Sequence, residues 1–477
     1  MKYTKKVKQS PKSPKSPKSP KSFKRKAGDI IATGGYGCVF KPAIPCVGDS
    51  KRSNGISKLL SKKDAKDEYG ETLRIRPVIS KIPNNQKYFL VQDVRLCKPS
   101  ILTESDKKNF SKCLPLERLG LKASNINSNL SKVDIINFPY GGKDLNKLFN
   151  TKMSVKTFAL INHKLASLIK NAVAPMNKAN LLHNDLKDAN ILFNELDNEL
   201  RIIDWGFGEI IGKSIPSSLK HRPLQYNVPF SNLLLGPRFN TFYTLRLSAL
   251  NGPISEFDVK TIVLEYFYTY IIGSGHYRYL FERVFPTIFS NIKKYIPSID
   301  APKIIHYTLG LDIITDYLTD ALMAYTNFTK KSFDATKYFL NVYSKNVDVW
   351  GVLTTYVAIY SAIEDNLIVL ETSKMKKDIL QLIRNLVRTY LYSPMYASKA
   401  INIDALDKDI KEINKILGIK IDTEPIKIGE TKKKLDDIKE KAKKKIASSH
   451  SSTKKVKKSR CPNGTHRNKV TGKCEAI

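Results

Sequence analysis

Acidic residues are scarce in this chain. Only 44 Asp and Glu stand against 81 Lys and Arg, a formal net charge of +37, and the shortage is greatest at the two ends. Such a balance favours acidic partners (nucleic acid, acidic proteins or anionic membrane surfaces) and is silent about the fold. Cysteine is also sparse: Cys38, Cys46, Cys97, Cys113, Cys461 and Cys474 are too few and too unevenly spaced for a disulfide scaffold, so the body reads as intracellular. No apolar run reaches the roughly 20 residues that a bilayer requires. The best, 347–363, is interrupted by Thr354, Thr355 and Ser361. The first segment has no apolar stretch of the kind a secretory signal uses. What remains is a chain of 477 residues, 42% hydrophobic and 9% aromatic, long enough for two or three compact units with tails.

Residues 1–26 carry a Ser-Pro-Lys repeat whose every third residue lacks a backbone donor, so they form a basic arm outside any helix or sheet. Phosphate contacts with nucleic acid and plain solubilisation are both open for it. From Asp29 short apolar runs flank a glycine turn, which reads as a strand pair. A helix is expected over 61–75, where Ala65, Tyr69, Thr72 and Leu73 recur at helical spacing. Further strand candidates are 88–91 and 133–138, the latter running into the turn Pro139-Tyr140-Gly141-Gly142. Helical periodicity then dominates: Phe158, Ile161, Leu165, Leu168 and Ala172 mark one stripe, ending near Pro175. Two short strands, 191–193 and 200–203, follow around a turn. Beyond Phe230 the pattern is largely helical to about Leu417, and 421–477 is a second basic tail.

The densest chemical signal is His183-Asn184-Asp185-Leu186-Lys187-Asp188-Ala189-Asn190, followed by Ile203-Asp204-Trp205-Gly206. Phosphoryl transfer needs a carboxylate to orient the attacking hydroxyl, with an Asn and an Asp to hold magnesium on the phosphates. Those residues occur in that order, and a hairpin between them would bring Asn190 and Asp204 to one metal site.

These strings resemble the catalytic and metal-binding loops of the eukaryotic protein kinase superfamily. The resemblance implies an α+β, bilobal fold, with a β-rich N-lobe over 27–137 and a helical C-lobe over 138–420. It makes Asp185 the catalytic base, Lys187 the γ-phosphate contact typical of serine/threonine kinases, and Asn190 and Asp204 the Mg2+ ligands. Ala32-Thr33-Gly34-Gly35-Tyr36-Gly37-Cys38-Val39 resembles the glycine-rich loop over ATP, with Val39 covering the adenine. Lys58 would meet the α- and β-phosphates, with Glu68, or Glu71 one turn further on, as its ion-pair partner. Asn137, Phe138 and Tyr140 fall in the adenine hinge, and Asp144 is placed to reach the ribose. Asp348-Val349-Trp350-Gly351 resembles the start of the buried C-lobe helix whose Asp anchors the catalytic loop; an N-cap is the simpler role for that Asp.

The departures are specific. Ala32 replaces the first glycine, Trp205 the usual Phe, and Asn184 the arginine that would read a phosphate on the activation segment, which predicts activity independent of such phosphorylation. No Ala-Pro-Glu string is present, and 226–231 is its substitute. About 100 extra residues, over 235–342, read as a helical insertion whose aromatics serve packing. The overall pattern resembles serine/threonine kinases of giant DNA viruses of the mimivirus kind, which implies host cytoplasm or virion. The expected activity is transfer of the ATP γ-phosphate to serine or threonine of a protein substrate. An aminoglycoside- or choline-type phosphotransferase and an inactive scaffold are the alternatives. Cys461 and Cys474 either close a small loop or remain free thiols.

Overall fold

The computed structural model describes residues 29–272, 275–289, 302–419, 465–467 and 474–476. The Ser-Pro-Lys arm, most of the basic tail and Cys461 lie outside them. The chain divides into two compact units, Met1–Ile421 and Asp422–Ile477. In the second, Thr465–Arg467 pairs antiparallel with Cys474–Ala476, and Cys474 is disulfide-bonded.

The first unit begins with an antiparallel five-stranded sheet built from β1 (Asp29–Thr33), β2 (Gly37–Lys41), β3 (Ile56–Ser61), β4 (Arg95–Cys97) and β5 (Val133–Phe138). Their order is β1-β2-β3-β5-β4. The side-chain alternation of strands explains what covers each face. Leu60, Val94 and Ile136 point to one side, where they bury Ala65 of helix α1 (Lys62–Ile79). Phe40, Leu59, Val133 and Ile135 point to the other, against Leu102, Phe110, Leu116, Leu121 and Ile126 of the irregular stretch between β4 and β5. Ser61 starts α1 by accepting a hydrogen bond from the Asp64 amide at 3.2 Å. The helix runs one turn beyond the expected end, through Pro77.

Two disulfides correct the expectation of scattered thiols, one joining this layer to the sheet and the other joining the loop after β2 to β4. Cys38 of β2 is bridged to Cys113, and Cys46 to Cys97 of β4, each with Cα atoms 5.7 Å apart. Spacings of 75 and 51 residues concealed both pairs, because neither resembles the compact pattern of a small disulfide-rich domain. The strand expected over 88–91 is also absent. Asn85–Tyr88 is a helical turn, and Phe89 and Val91 enter the large core, where Phe89 bridges to Ile202. Their apolar run is buried as a wedge.

Downstream, the expected helix is α2 (Val155–Leu168). It does not stop at Pro175: a wider π turn over Ile169–Val173 leads without a break into Ala174–Lys178, which carries the proline just past that widened turn. β6 (Lys143–Asp144), β8 (Ile191–Asn194) and β9 (Glu199–Ile202) form a small sheet, while β7 (Leu181–Leu182) pairs with β10 (Glu209–Ile210). Most of 230–419 is helical, as expected, apart from a two-residue hairpin of Thr326–Asn327 with Ser332–Phe333. The last of these helices, Ile403–Leu417, ends on Gly418 at φ +64°. Among the described residues, no helix is long and apolar enough to cross a membrane.

Candidate active site

The glycine turn connects β1 to β2, closed by a 2.9 Å hydrogen bond from the Gly34 amide to the Gly37 carbonyl. Gly37 must be glycine, since a Cβ there would meet the Leu59 carbonyl oxygen. Gly34 lies over Lys58: a Cβ on it would stand 4.0 Å from the lysine Cε. In register, Val39 faces Lys58 across β2 and β3, and Ala32 faces Val39. Thr33, Gly35 and Tyr36 are exposed at the turn. The structure thus brings the whole turn, Val39 and Lys58 to one place.

Lys58 Nζ meets Glu68 Oε2 of α1 at 2.5 Å. Glu71 instead pairs with Arg74, whose guanidinium also donates to the Gly208 carbonyl at 2.5 Å. Of the hinge residues, Asn137 lies inside the sheet between Ser57 and Arg95, and its side chain is engaged by Ser57 Oγ and the Ile44 carbonyl. An interior residue of an antiparallel sheet spends its backbone groups on a neighbouring strand. The backbone after Asn137 therefore carries any hinge contacts, from Phe138 at the strand end onward. Tyr140 lies under the Lys41 ammonium, 3.0 Å from the ring centroid. Asp144 caps the helix Leu145–Phe149 through the Lys147 amide at 2.8 Å, and its other oxygen meets Lys147 Nζ at 3.0 Å, so both oxygens are engaged.

The loop from His183 to Asn190 is irregular, buried backbone, and such backbone needs partners. Asp348 supplies them. It lies within helix α3 (Ser344–Leu353), fully buried, and accepts hydrogen bonds from the His183 amide at 2.9 Å, the Asn184 amide at 2.8 Å and Asn177 Nδ2 at 2.6 Å. It is therefore no N-cap and does not open its helix. Gly351, one turn later, lets α3 approach so closely that a Cβ would stand 2.5 Å from the Leu186 carbonyl oxygen. His183 is equally buried; its Nε2 bonds the Ile203 carbonyl at 2.9 Å, and its ring lies 4.7 Å from that of Trp205. Burial pushes the imidazole well toward its neutral form.

Asp185 gathers four partners. Lys187 Nζ donates to Oδ2 at 2.8 Å and Asn190 Nδ2 to the same oxygen at 3.0 Å, while Asn227 Nδ2 and Arg222 Nη2 donate to Oδ1 at 2.9 and 3.3 Å. Burial alone would raise this carboxyl. Its hydrogen bonds with Lys187 and Asn227, with the Lys187 and Arg222 charges, outweigh that and hold its pKa below the ordinary value. Sequence reasoning missed Arg222 and Asn227; Asn227 carries a weak signal, its place in the string read as a substitute for Ala-Pro-Glu.

Asn190 spends its amide nitrogen on Asp185, which leaves its Oδ1 as a ligand atom. The Ile203 amide donates to the Asn190 carbonyl at 3.1 Å, so Asp204 is one residue away from that backbone contact. Asp204 is exposed, and among the described residues no donor is bonded to its carboxylate; its φ of +69° is a left-handed conformation that a non-glycine residue rarely adopts. Two hard oxygen donors with open positions for water and phosphate suit Mg2+. Among the described residues there is no group of three His, Cys, Asp or Glu side chains arranged to hold a metal without such partners.

No family model matches this sequence, and no curated protein does. Among solved structures, the chain is similar to that of the Cydia pomonella granulovirus kinase PK-1, at 13% identity and a TM-score of 0.25. That likeness covers 48% of this chain and 65% of the other, and at such a score it adds nothing to the argument from geometry.

Proposed function

We propose that this protein is an ATP- and Mg2+-dependent kinase that transfers the γ-phosphate to serine or threonine hydroxyls of a protein substrate. The observation that carries the reading is the convergence of Asp185, Lys187 and Asn190 in one hydrogen-bonded set, with Asp204 adjacent through the Ile203 to Asn190 contact. The Lys58–Glu68 pair beneath the glycine turn supports it from a separate part of the chain. The viral origin and location rest on the sequence resemblance alone.

The transferred phosphoryl group demands positioning and charge stabilisation more than covalent chemistry. Bound Mg2+ would neutralise charge on the phosphates, held by Asn190 Oδ1 and Asp204. Lys58, kept in place by Glu68, would pair with the α- and β-phosphates. Asp185, ionised and fixed at both oxygens, orients the acceptor hydroxyl and takes its proton. Lys187, already beside Asp185, has the reach to share its charge with the moving phosphate.

The test is incorporation of labelled γ-phosphate from Mg-ATP into a panel of proteins, peptides, aminoglycosides and choline, with phosphoamino-acid analysis. Phosphoserine or phosphothreonine that disappears in Asp185→Asn and Asp204→Ala is expected. Product only on the small molecules would overturn the protein-kinase reading, and tight nucleotide binding without any transfer would leave a scaffold.

A further inference from the structure

The stretch from Trp205 to Phe230 follows the metal loop and contacts the catalytic loop at several points. Its first part is held by β10 against β7, by the Ile211 amide on the Asn180 carbonyl at 2.9 Å, and by Arg74 on the Gly208 carbonyl. Its last part is held by Trp350 Nε1 on the Tyr226 carbonyl at 3.0 Å and by Asn227 on Asp185 and on the Leu186 carbonyl at 3.3 Å. Between these lies Arg222. Its side chain is only 4% exposed, it reaches both the Asn184 carbonyl and Asp185 Oδ1, and its Nε donates to Gln225 at 2.8 Å. The Arg222 carbonyl is itself held by Asn232 Nδ2 at 2.8 Å, and Asn232 by the Tyr343 hydroxyl at 3.0 Å.

A buried guanidinium has to be matched by charge and by acceptors, and a planar fork does this for two acceptors at once. Here the acceptors are the carboxylate and the carbonyl of consecutive residues in the catalytic loop. Phosphorylation orders a loop by creating an anion for a waiting cation. Arg222 already has its anion, and it is Asp185. Asn184, where an arginine would otherwise stand, donates from its side-chain Nδ2 to the Phe207 carbonyl at 3.1 Å, which adds another tie between the same two stretches.

We propose that Arg222 is the positioning residue of this site: it fixes the Asp185 carboxylate and locks 205–230 onto the catalytic loop, so that the site is assembled without phosphate on Ser214, Ser217, Ser218 or Tyr226. This deepens the kinase reading, on which its consequence for turnover rests. The contact itself is independent of that reading.

The experiment compares the full chain with Arg222→Gln and Arg222→Lys, all treated with phosphatase and checked by mass. Three readouts are taken: steady-state phosphotransfer, Mg-ATP affinity by displacement of a fluorescent nucleotide, and hydrogen exchange of amides 206–230. Arg222→Gln is expected to lose roughly 100-fold in kcat, the scale of a mispositioned reacting group. Its nucleotide affinity stays unchanged and exchange over 206–230 rises. Arg222→Lys, which keeps the charge and loses the fork, recovers part of kcat. Undiminished kcat in Arg222→Gln, nucleotide affinity falling in step with kcat, or a wild type inactive until phosphorylated would each overturn the inference. If the wild type transfers no phosphate at all, the kinase reading fails, and exchange still decides the contact: unchanged protection of 206–230 in Arg222→Gln would overturn it.

Discussion

Residues 29–138 and 139–419 both contain irregular backbone packed against regular elements, and they fix it by opposite means. In the first region the stretch between β4 and β5 lies on the sheet through one-sided burial, and the Cys38–Cys113 disulfide ties it down while Cys46–Cys97 ties the loop after β2 to β4. In the second, the 183–190 loop is held by buried hydrogen bonds converging on Asp348, with no covalent link. The difference follows from what each has to do. A covering layer needs only to stay in place, and a cross-link does that by restricting the unfolded chain. A loop that presents Asp185, Lys187 and Asn190 has to hold particular directions, and hydrogen bonds in a buried setting specify direction.

The largest effect should come from breaking the second arrangement at its centre. Asp348→Ala strips acceptors from the His183 and Asn184 amides and from Asn177, and each unsatisfied buried group costs about 1–3 kcal/mol. Loss of at least about 3 kcal/mol is expected in denaturant titration, together with loss of phosphotransfer; a variant within about 1 kcal/mol of wild type would show that Asp348 is not the anchor. Asp348→Asn, which keeps one oxygen acceptor, should lose less.

Reduction of the disulfides is the matching test of the first region. The chain-entropy model gives about 4 kcal/mol for loops of these lengths, less in sum because the 46–97 loop is nested inside 38–113. Under reductant, or in Cys38→Ser with Cys113→Ser, hydrogen exchange should accelerate in β1, β2 and 98–132 first, while 177–190 keeps its protection. Equal loss in both regions would mean that they unfold as one and would dissolve the contrast.

A smaller effect on stability and a large one on turnover is expected where the regions cooperate. Lys58→Met removes a partly exposed ion pair, which costs at most about 1 kcal/mol. In the proposed site, where Lys58 meets the phosphates, the same change should nevertheless cost roughly 100-fold or more in kcat/KM. Glu68→Gln should follow it in part, and Glu71→Gln should change little, because Glu71 pairs with Arg74. An equal loss in Glu68→Gln and Glu71→Gln would mean that the observed pairing has no bearing on turnover.

These contrasts also explain what could be read in the sequence. Strand and helix periodicity located β1, β2, β5, α1 and α2, because each presents an apolar face to one neighbour, whereas β3 was marked only by the resemblance that singles out Lys58. The string from His183 to Asn190 was legible because its residues are close in sequence as well as in space. Periodicity is silent about 98–132, whose burial depends on a sheet face contributed by distant strands, and about cysteine pairs separated by 75 and 51 residues. Arg222 was illegible for a similar reason. It follows Asp185 by 37 positions, and a lone arginine before a proline in a loop resembles any surface charge. Asp348 was legible as a string; its place inside the helix was not, because α3 continues unbroken from the π turn Phe339–Tyr343 and the helix Ala335–Tyr338, whose cap, Asp334, lies well upstream.

The smallest effect expected is on the acid side of neutrality, and its sign follows from His183. Burial depresses this imidazole below its ordinary 6.5 in the folded protein, whereas the unfolded chain releases it to that value. Between 6.5 and the folded value the unfolded state holds the extra proton, so stability is complete above 6.5 and declines as pH falls through it. The slope approaches about 1.4 kcal/mol per pH unit. His163, also depressed by burial and by Lys164 and Lys411, contributes in the same direction. Asp348, raised by burial from its ordinary 3.8, works in the opposite direction from its raised value downward. Denaturant titrations from pH 7.5 to 5.5 should therefore show a falling midpoint, with the slope reduced in His183→Gln and in His163→Gln. If the His183→Gln slope matched wild type, His183 would have to be titrating normally in the folded protein. The buried hydrogen bonds around Asp348 would then be open to water, and the distinction between a cross-linked region and a hydrogen-bonded one would lose its second half.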